Sequence, residues 1–175
     1  MAEAYLELGT NLGDREAYLA RALAQLDGTE GIRLGKLSRV YVSRAWGVTD
    51  QPDFLNICVQ IETELTPEGL LEICKGIERA LGRQVRRRWG PREIDIDILM
   101  MDGVDMDTPG LTIPHARMME RRFVMEPLAE IAADREVDGI SVADLARHLR
   151  DDAGAQVCAP DAAATERLRV LLARD

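Results

Sequence analysis

Apolar and polar residues alternate along the chain with two different periods, and these periods predict a series of strands and helices. A short apolar segment at residues 4–9 predicts the first strand, and the turn-rich stretch TNLGD follows it. Asp14 is a residue type that caps helices, and Leu19, Leu23 and Leu26 then recur at helical spacing. The chain is therefore expected to begin with a strand, a turn and an amphipathic helix.

The period changes from helical to strand-like after this helix. An extended segment passes through residues 40–42, and a strand with one apolar face is predicted from about 54 to 62. Thr66, with a proline at the next position, predicts the start of a second helix that ends near Gly82. A last strand is predicted from about residue 94 to 101.

The resulting order is strand, helix, strand, strand, helix, strand, and it predicts an α+β fold. This order is typical of the ferredoxin-like βαββαβ arrangement, in which an antiparallel sheet carries both helices on one face. The opposite face is then free for a ligand or for later elements. Beyond this core, a mobile linker is predicted at about residues 151–164, and extra C-terminal helices are predicted at residues 118–122, 126–133, 142–149 and 163–172.

The composition supports a folded domain of ordinary size. The chain has 175 residues, of which 46% are hydrophobic and 30% charged, as is typical of a globular protein rather than a disordered one. We expect residues 1–138 to form the main domain. Residues 139–175 are expected to be a helical extension that is part of the same domain.

Charge and cysteine content exclude several classes of protein. The net charge of −9 argues against a nucleic-acid surface, and the few concentrated arginines instead favour a small anionic ligand. No segment approaches the roughly 18 apolar residues of a membrane span, and no secretion signal is apparent, so a cytoplasmic location is expected.

The oligomeric state stays open, and a monomer is compatible with the sequence. Structural thiols are predicted at Cys58, Cys74 and Cys158.

Two carboxylates lie one strand repeat apart in the predicted last strand. Side chains alternate between the faces of a strand, so Asp95 and Asp97 share a face and lie roughly 7 Å apart. That face becomes apolar at Leu99 and Met101, which places the acids at the mouth of a pocket. Magnesium is usually held by one or two such carboxylates together with substrate phosphates. The opposite face is expected to carry Ile94, Ile96, Ile98 and Met100.

A cluster of arginines precedes these acids, and guanidinium groups are suited to paired contacts with phosphate. Taken alone, the acids are explained by a solvated strand end and the arginines by a solvated basic loop. Together they indicate a metal-dependent phosphate site. The arginines of this cluster are Arg83, Arg86, Arg87, Arg88 and Arg92.

Four segments of the chain, in the same order, are similar to segments of one known family. They read LGTNLGD, DQPDFLN, RWGPREIDIDIL and LTIPHARMMERRFVMEPL. Over residues 4 to about 138, the chain resembles the 6-hydroxymethyl-7,8-dihydropterin pyrophosphokinases of folate biosynthesis. The resemblance implies an enzyme that transfers pyrophosphate from ATP to the hydroxymethyl group of the pterin and releases AMP. It further implies two magnesium ions held by Asp95 and Asp97.

The resemblance also assigns the catalytic residues and the ATP side of the site. The arginines after the second helix would lie on a loop that closes over ATP and excludes water. Without the resemblance, Lys75 and Glu78 would be a surface ion pair and His115 an ordinary loop residue. The implied catalytic residues are Arg83, Arg92, Asp95 and Asp97. The positions implied to contact ATP are Lys75, Glu78, Arg86, Trp89, Ile98, Thr112, His115 and Arg121.

A flat pterin ring calls for aromatic faces and for a carboxamide that donates and accepts hydrogen bonds. Phe54 and Asn56 supply one of each on the same predicted strand face, and Phe123 could stack on the opposite side. Both phenylalanines are otherwise explained as core residues. Asn11 matches a further family position near the pterin but is equally explained as part of a turn. The resemblance adds Ser43 and the backbone around Trp46 and Gly47.

The chain departs from the family pattern at a few positions. Ser43-Arg44-Ala45 stands where members often carry a proline-containing turn, which is expected to loosen this loop. Gly110 and Ala116 replace Arg and Tyr residues that lie near the nucleotide in some members, so ATP affinity is expected to differ.

Two other functions are compatible with parts of the pattern. One is a non-catalytic ferredoxin-like module that senses a nucleotide; such a module needs neither the paired acids nor the residues suited to a pterin. The other is a two-metal nucleotidyl-transfer enzyme that acts on a polynucleotide. The acidity of the chain counts against it.

Overall fold

A computed structural model describes residues 1–44, 52–83, 93–151 and 158–174. The helices are α1 (Arg15–Asp27), α2 (Pro67–Ala80), α3 (Arg122–Ala132), α4 (Val142–Asp151) and α5 (Ala162–Ala173), with a 3-10 turn at Met118–Glu120. The strands are β1 (Ala2–Thr10), β2 (Ile32–Leu37), β3 (Tyr41–Ser43), β4 (Phe54–Thr63), β5 (Asp95–Met101), β6 (Met106–Thr108), β7 (Leu111–Ile113), β8 (Glu136–Val137), β9 (Ile140–Ser141) and β10 (Cys158–Pro160).

One antiparallel sheet organises the molecule. Its strands lie in the order β10, β3, β4, β1, β5, and β2 also pairs with β4. The central part, β5 beside β1 beside β4 beside β2 and β3, is the strand order of a ferredoxin-like fold, so the predicted α+β class and βαββαβ order are confirmed. The single extended segment expected after α1 is instead two strands, which pair with successive halves of β4.

Apolar side chains fill both faces of the sheet. On one face, α1, α2 and α5 pack on the even-numbered residues of β1 and the odd-numbered residues of β4, including Leu6, Leu8, Ile57 and Ile61. The first two helices thus share a face, as predicted. On the other face, α3 and α4 cover Tyr5, and the opposite end of that face carries polar residues. The candidate site lies at this polar end.

The helix starts follow the capping residues expected from the sequence. Asp14 Oδ1 accepts a hydrogen bond from the Ala17 N–H at 3.1 Å, and Thr66 Oγ1 accepts one from the Gly69 N–H at 3.0 Å. Each bond satisfies a backbone donor that has no partner within its own helix. The two caps fix where α1 and α2 begin and therefore how they meet the sheet.

The side chains at the end of β5 do not alternate as predicted. The pairing of β5 with β1 shifts where Tyr5 faces Met100 and Leu6 faces Ile98, so Leu99 is an extra residue. As a result, Met101 packs in the same core as Ile98, and Met100 packs against the opposite core. The expectations that Met100 shares a face with the isoleucines and that Met101 shares a face with the two acids are therefore wrong, because a β-bulge resets the alternation.

The C-terminal part of the chain is more ordered than the sequence indicates. Residues 152–157 lie outside the described part, but Cys158–Pro160 form a strand and α5 begins at Ala162, so this portion of the predicted linker is wrong. The composition, rich in Ala and Asp, predicts a linker, but pairing with β3 and the Asp161 cap on the Ala164 N–H stabilise a strand and a helix here. We propose on this basis that the extension 139–175 belongs to the same domain as residues 1–138.

Three smaller predictions also meet the structure. All three cysteines are buried free thiols, as expected. The helix predicted at 126–133 begins earlier, at Arg122, and the one predicted at 118–122 is only the 3-10 turn. In the described ranges, none of the helices combines the length and apolar character required to span a membrane.

Candidate active site

The polar end of the sheet brings together residues from three adjacent strands on one face, which we call the site face. In the strand register, Gly9 on β1 lies opposite Asn56 on β4 and Asp95 on β5. A Cβ atom at Gly9 would lie 3.1 Å from Asn56 Oδ1 and 3.6 Å from the Phe54 ring. Glycine at this position therefore leaves the space in which Phe54 and Asn56 pack.

The two predicted acids lie on this face at the start of β5. Burial, followed by the nearby Asp95 carboxylate, raises the pKa of Asp97 to about 7, while the positive charges of Lys75 and Arg121 act in the opposite direction. When burial and a nearby like charge raise the pKa of a carboxyl group, a cation beside it stabilises the charged form. The pair is thus electrostatically poised to hold a positive ion.

A buried glutamate links α2 to this acidic strand. Glu78 is 2% exposed, and its Oε2 accepts a hydrogen bond from the Ile96 N–H at 2.8 Å. Its Oε1 lies 2.7 Å from Arg83 Nη1 and 3.4 Å from Lys75 Nζ. The interpretation of Lys75 and Glu78 as a surface ion pair is therefore wrong, because the partner of Lys75 is a core carboxylate.

Arg83 connects that glutamate to the acid pair. Its Nη1 atom lies 3.1 Å from Asp95 Oδ1 as well as 2.7 Å from Glu78 Oε1, and its side chain is 23% exposed. The Arg83 N–H also donates to the Glu78 carbonyl at 3.0 Å. Arg83 is therefore held at the edge of the acidic cluster from both its backbone and its side chain.

Two further cationic or titratable side chains approach the acids from the segment before α3. The His115 N–H donates to the Leu99 carbonyl at 2.9 Å, which fixes the residue beside β5. Burial, Arg121 and Arg117 lower the pKa of His115, while Asp95 acts in the other direction. Arg121 also affects the pKa of Asp97 and lies with its Cζ atom 5.7 Å from the centre of the Phe123 ring.

The residues predicted for the pterin lie on the other side of Gly9. Asn56 Nδ2 donates to Ser43 Oγ at 2.7 Å, and both side chains are buried. Phe54 and Phe123 are partly exposed rather than wholly in the core. Asn11 is buried and its Nδ2 donates to the Pro52 carbonyl at 3.0 Å, so it joins the end of β1 to the segment that leads into β4.

Of two positions predicted for ATP, Ile98 lies on β5 and Thr112 lies on β7, which contacts β5. Strand β5 is at the edge of the six-stranded sheet, and the Ile96 N–H points away from β1 to Glu78. Because backbone groups alternate along a strand, the Ile98 N–H points to the same outer edge. Thr112 lies on β7 with its hydroxyl donating to Asp107 Oδ1 at 3.0 Å.

The structure thus brings together ten of the predicted residues around the acid pair and on the adjoining part of the site face. These are Lys75, Glu78, Arg83, Asp95, Asp97, His115, Arg121, Ser43, Phe54 and Asn56. Five other predicted positions lie outside the described residues and stay predictions. They are Trp46, Gly47, Arg86, Trp89 and Arg92.

Sequence alone does not single out one residue of the site face, Glu7, although it is an acid within an otherwise apolar strand. Glu7 lies opposite Asp97 on β5 and opposite Cys58 on β4. It is 4% exposed, and its Oε2 accepts a hydrogen bond from Cys58 Sγ at 2.8 Å. Its Oε1 has no hydrogen-bond partner in the described part of the chain. Burial raises the pKa of Glu7 well above the ordinary value for a glutamate.

This raised pKa predicts how stability depends on pH. The folded state holds a proton on Glu7 that the unfolded state releases at lower pH, so stability falls as pH rises above the unfolded value of about 4.5. We expect Glu7→Gln to remove part of this loss and to raise the melting temperature more at pH 8 than at pH 5. Thermal unfolding followed by circular dichroism measures this, with Glu64→Gln on the exposed surface as the matched control. Parallel pH profiles for Glu7→Gln and the wild type would contradict the assignment.

Comparisons with known proteins point to one family. A family model described as 7,8-dihydro-6-hydroxymethylpterin-pyrophosphokinase (HPPK) matches residues 5–133. A 2-amino-4-hydroxy-6-hydroxymethyldihydropteridine pyrophosphokinase of Methylorubrum extorquens is 52% identical over 142 residues, which cover 81% of this chain and 90% of that protein. A protein of the same name from Bacillus subtilis is 45% identical over 138 residues, covering 79% of this chain and 83% of its own.

Solved structures give the same fold. An HPPK-DHPS protein of Plasmodium falciparum, in complex with pteroate, superposes with a TM-score of 0.66 at 15% identity. The match covers 84% of this chain and 42% of that one, so the chain spans less than half the length of the HPPK-DHPS protein. At 15% identity this similarity supports only a common fold, which agrees with the ferredoxin-like sheet described above.

Proposed function

This chain belongs to the 7,8-dihydro-6-hydroxymethylpterin-pyrophosphokinase family, and we propose that the Asp95–Asp97 site carries out the family's reaction. The function is the transfer of pyrophosphate from ATP to 6-hydroxymethyl-7,8-dihydropterin in folate biosynthesis. The observation that supports this site most strongly is the convergence of the acid pair, the Arg83 network and the Asn56–Ser43 pair on one end of the sheet.

Magnesium dependence fits the donor set of the site. Asp95 and Asp97 offer carboxylate oxygens, the ligands that magnesium prefers. Burial and the Asp95 charge raise the pKa of Asp97, so a bound cation would stabilise the charged form of its carboxylate. Among the described residues, no group of three or more His, Cys, Asp or Glu side chains is arranged to hold a metal, so substrate phosphates would complete the coordination. Two magnesium ions, when bound, would neutralise phosphate charge, and Asp95 and Asp97 would hold them.

The cationic residues around the acids are suited to the triphosphate. We propose that Arg83, Arg121 and Lys75 contact phosphate oxygens, joined by Arg86 and Arg92 as predicted from the sequence. His115, whose pKa is lowered by burial and by Arg121, would act as a neutral hydrogen-bond donor rather than as a cation. The edge of β5 near Ile98, together with Thr112, is proposed to hold the adenine.

In the proposed reaction, the pterin hydroxyl oxygen forms a bond to the β-phosphorus and the bond from that phosphorus to the AMP oxygen breaks. The hydroxyl proton passes to a base, and Asp95 or Asp97 is the candidate acceptor. Positioning and charge neutralisation by the surrounding residues supply most of the acceleration in transfers of this kind. We propose that Trp89 seals the site when the arginine segment closes over ATP.

The pterin is proposed to bind on the Asn56 side of the site face. Asn56 can exchange hydrogen bonds with the pterin edge while its Nδ2 stays on Ser43, and Phe54 and Phe123 would stack on the ring. The backbone around Trp46 and Gly47 would complete this pocket.

We expect Asn56→Ala to weaken pterin binding selectively. The substitution removes the amide that pairs with the ring and leaves Ser43 without its donor, so the KM for the pterin should rise by about 10- to 100-fold. The KM for ATP should change by less than about threefold, because the acid pair lies on another strand. Steady-state kinetics with each substrate varied in turn measures both values. Gln60→Ala, on the same strand, is the control, and equal rises in both KM values would count against the proposed role.

An AMP-release assay, together with measurements of nucleotide and nucleic-acid binding, separates the three candidate functions. The purified protein is incubated with ATP, magnesium and 6-hydroxymethyl-7,8-dihydropterin, and AMP is quantified by chromatography. AMP formation that requires the pterin supports the pyrophosphokinase. Nucleotide binding without AMP would support the sensing module, and nucleic-acid binding at low salt would favour the nucleotidyl-transfer enzyme. The cytoplasmic location and the compatibility with a monomer stay predictions.

A further inference from the structure

The end of the chain is built into the pterin side of the site. Strand β10 pairs with β3 in the register Cys158 opposite Ser43 and Pro160 opposite Tyr41. Strand β3 has three residues, so in the absence of β10 it would be a short edge strand that pairs with β4 alone, with Tyr41 also hydrogen-bonded to Glu130 of α3. A three-residue edge strand has few hydrogen bonds with which to keep its position.

Asp161, just before α5, and Thr165, within it, also hold the backbone of Val40, the residue that precedes β3. The Val40 N–H donates to Thr165 Oγ1 at 2.9 Å, and the Val40 carbonyl accepts from the Asp161 N–H at 2.8 Å. The Thr165 hydroxyl in turn donates to the Asp161 carbonyl at 2.7 Å. Val40 is fully buried and Thr165 is 7% exposed, so water cannot readily replace these bonds.

The same helix is anchored to the body of the protein independently of β3. Ala164 and Leu168 pack in the core beneath the sheet. Arg167 Nη2 lies 2.6 Å from Glu16 Oε1 on α1, which is the helix that begins directly after the Asn11 turn. The helix therefore provides a fixed reference against which Thr165 can hold Val40.

We propose that Thr165 is a positioning residue for pterin binding: it fixes Val40 and β3, and thereby holds Ser43 where its Oγ accepts the hydrogen bond from Asn56. The bond from Asn56 Nδ2 to Ser43 Oγ is 2.7 Å long, so a small displacement of β3 breaks it or turns the Asn56 amide. Thr165 lies outside the part of the chain that the family model matches, residues 5–133. The inference rests on the proposed role of Asn56 in binding the pterin.

The test replaces Thr165 by valine in the full-length chain, which keeps the shape and removes the hydroxyl. The KM for the pterin should rise by about fivefold, while kcat and the KM for ATP stay within about twofold of the wild-type values. Thr165→Ser restores the hydroxyl and should restore the pterin KM. Thr29→Val makes the same change at the end of α1, where the hydroxyl donates to the Gln25 carbonyl, and should have no effect.

A second control separates positioning from loss of stability. Ile32→Val removes a buried methyl group on β2, opposite the far end of β4, and should lower the melting temperature without altering the pterin KM. Titration calorimetry with the pterin and a non-hydrolysable ATP analogue gives affinities that do not depend on turnover.

The outcomes are distinct for the two proposals. Equal changes in both KM values, or an unchanged pterin affinity in Thr165→Val, would overturn the positioning role while the pyrophosphokinase function stands. A wild-type protein that binds the pterin but releases no AMP would overturn the function, and the calorimetric affinities would still decide the role of Thr165. A wild-type protein that does not bind the pterin would overturn both.

Discussion

Replacing Asp97 by asparagine is expected to abolish pyrophosphate transfer, with turnover falling by about 10³-fold or more. Asparagine keeps the size of the side chain and one acceptor oxygen, but it removes the charge on which binding of a divalent cation depends. The fold should not suffer. The pKa of Asp97 is raised in the folded state to about 7, so its ionisation opposes folding as pH rises above the unfolded value of 3.8. A neutral side chain is therefore expected to leave the melting temperature unchanged or higher at pH 8.

Release of AMP under saturating ATP and pterin measures this loss, and circular dichroism checks the fold. Asp95→Asn is expected to have the same effect on turnover. Asp105→Asn is the matched control, since it removes one carboxylate charge from an exposed position shortly after β5. Substantial turnover in either variant of the pair would show that the two acids are not the metal ligands, and the proposed mechanism would have to be abandoned.

The second large effect is expected at Glu78, and it concerns stability as well as rate. Glu78→Ala removes the acceptor of the Ile96 N–H and leaves Arg83 without its buried partner. Breaking a buried charged network of this kind costs about 3–5 kcal/mol in the free energy of unfolding. Arg83 would then be free to turn toward Asp95 alone, so we also expect turnover to fall by about 10²-fold.

Urea unfolding and AMP release on the same preparations measure both effects. Glu72→Ala, on the exposed face of the same helix, controls for the loss of a negative charge and of helix-surface contacts. Glu78→Gln keeps an oxygen for the Ile96 N–H and should lose less stability than Glu78→Ala. Full stability and full activity in Glu78→Ala would mean that Arg83 is held by other groups.

The main architecture follows from local rules and could be predicted. The helical spacing of Leu19, Leu23 and Leu26 and the capping residues Asp14 and Thr66 act within one or two helical turns, so a sequence contains all the information they need. The strand spacing of Asp95 and Asp97 is equally local. The order of these elements then restricts the topology, because neighbouring strands and helices pack in few ways.

Features that depend on distant partners could not be predicted in the same way. The bulge at Leu99 exists because β5 and β1 meet with a shifted register, and no local pattern marks it. Strand β10 forms because β3 offers an edge, although its own residues are only Cys, Ala and Pro. Glu78 and Glu7 look like surface acids in the sequence, and only the packing of α2 and of β1 shows that both are buried.

The hydrogen bond between Val40 and Thr165 joins residues 125 positions apart, and this separation affects biosynthesis. A ribosome adds about 5–20 residues per second, so Val40 is made roughly 6–25 s before the hydroxyl that will hold it. During this interval the nascent chain can form its central strands, but the Val40 N–H does not yet have the Thr165 hydroxyl as its acceptor. A chain released early by a premature stop codon would therefore contain the acid pair and still have an unfinished binding pocket.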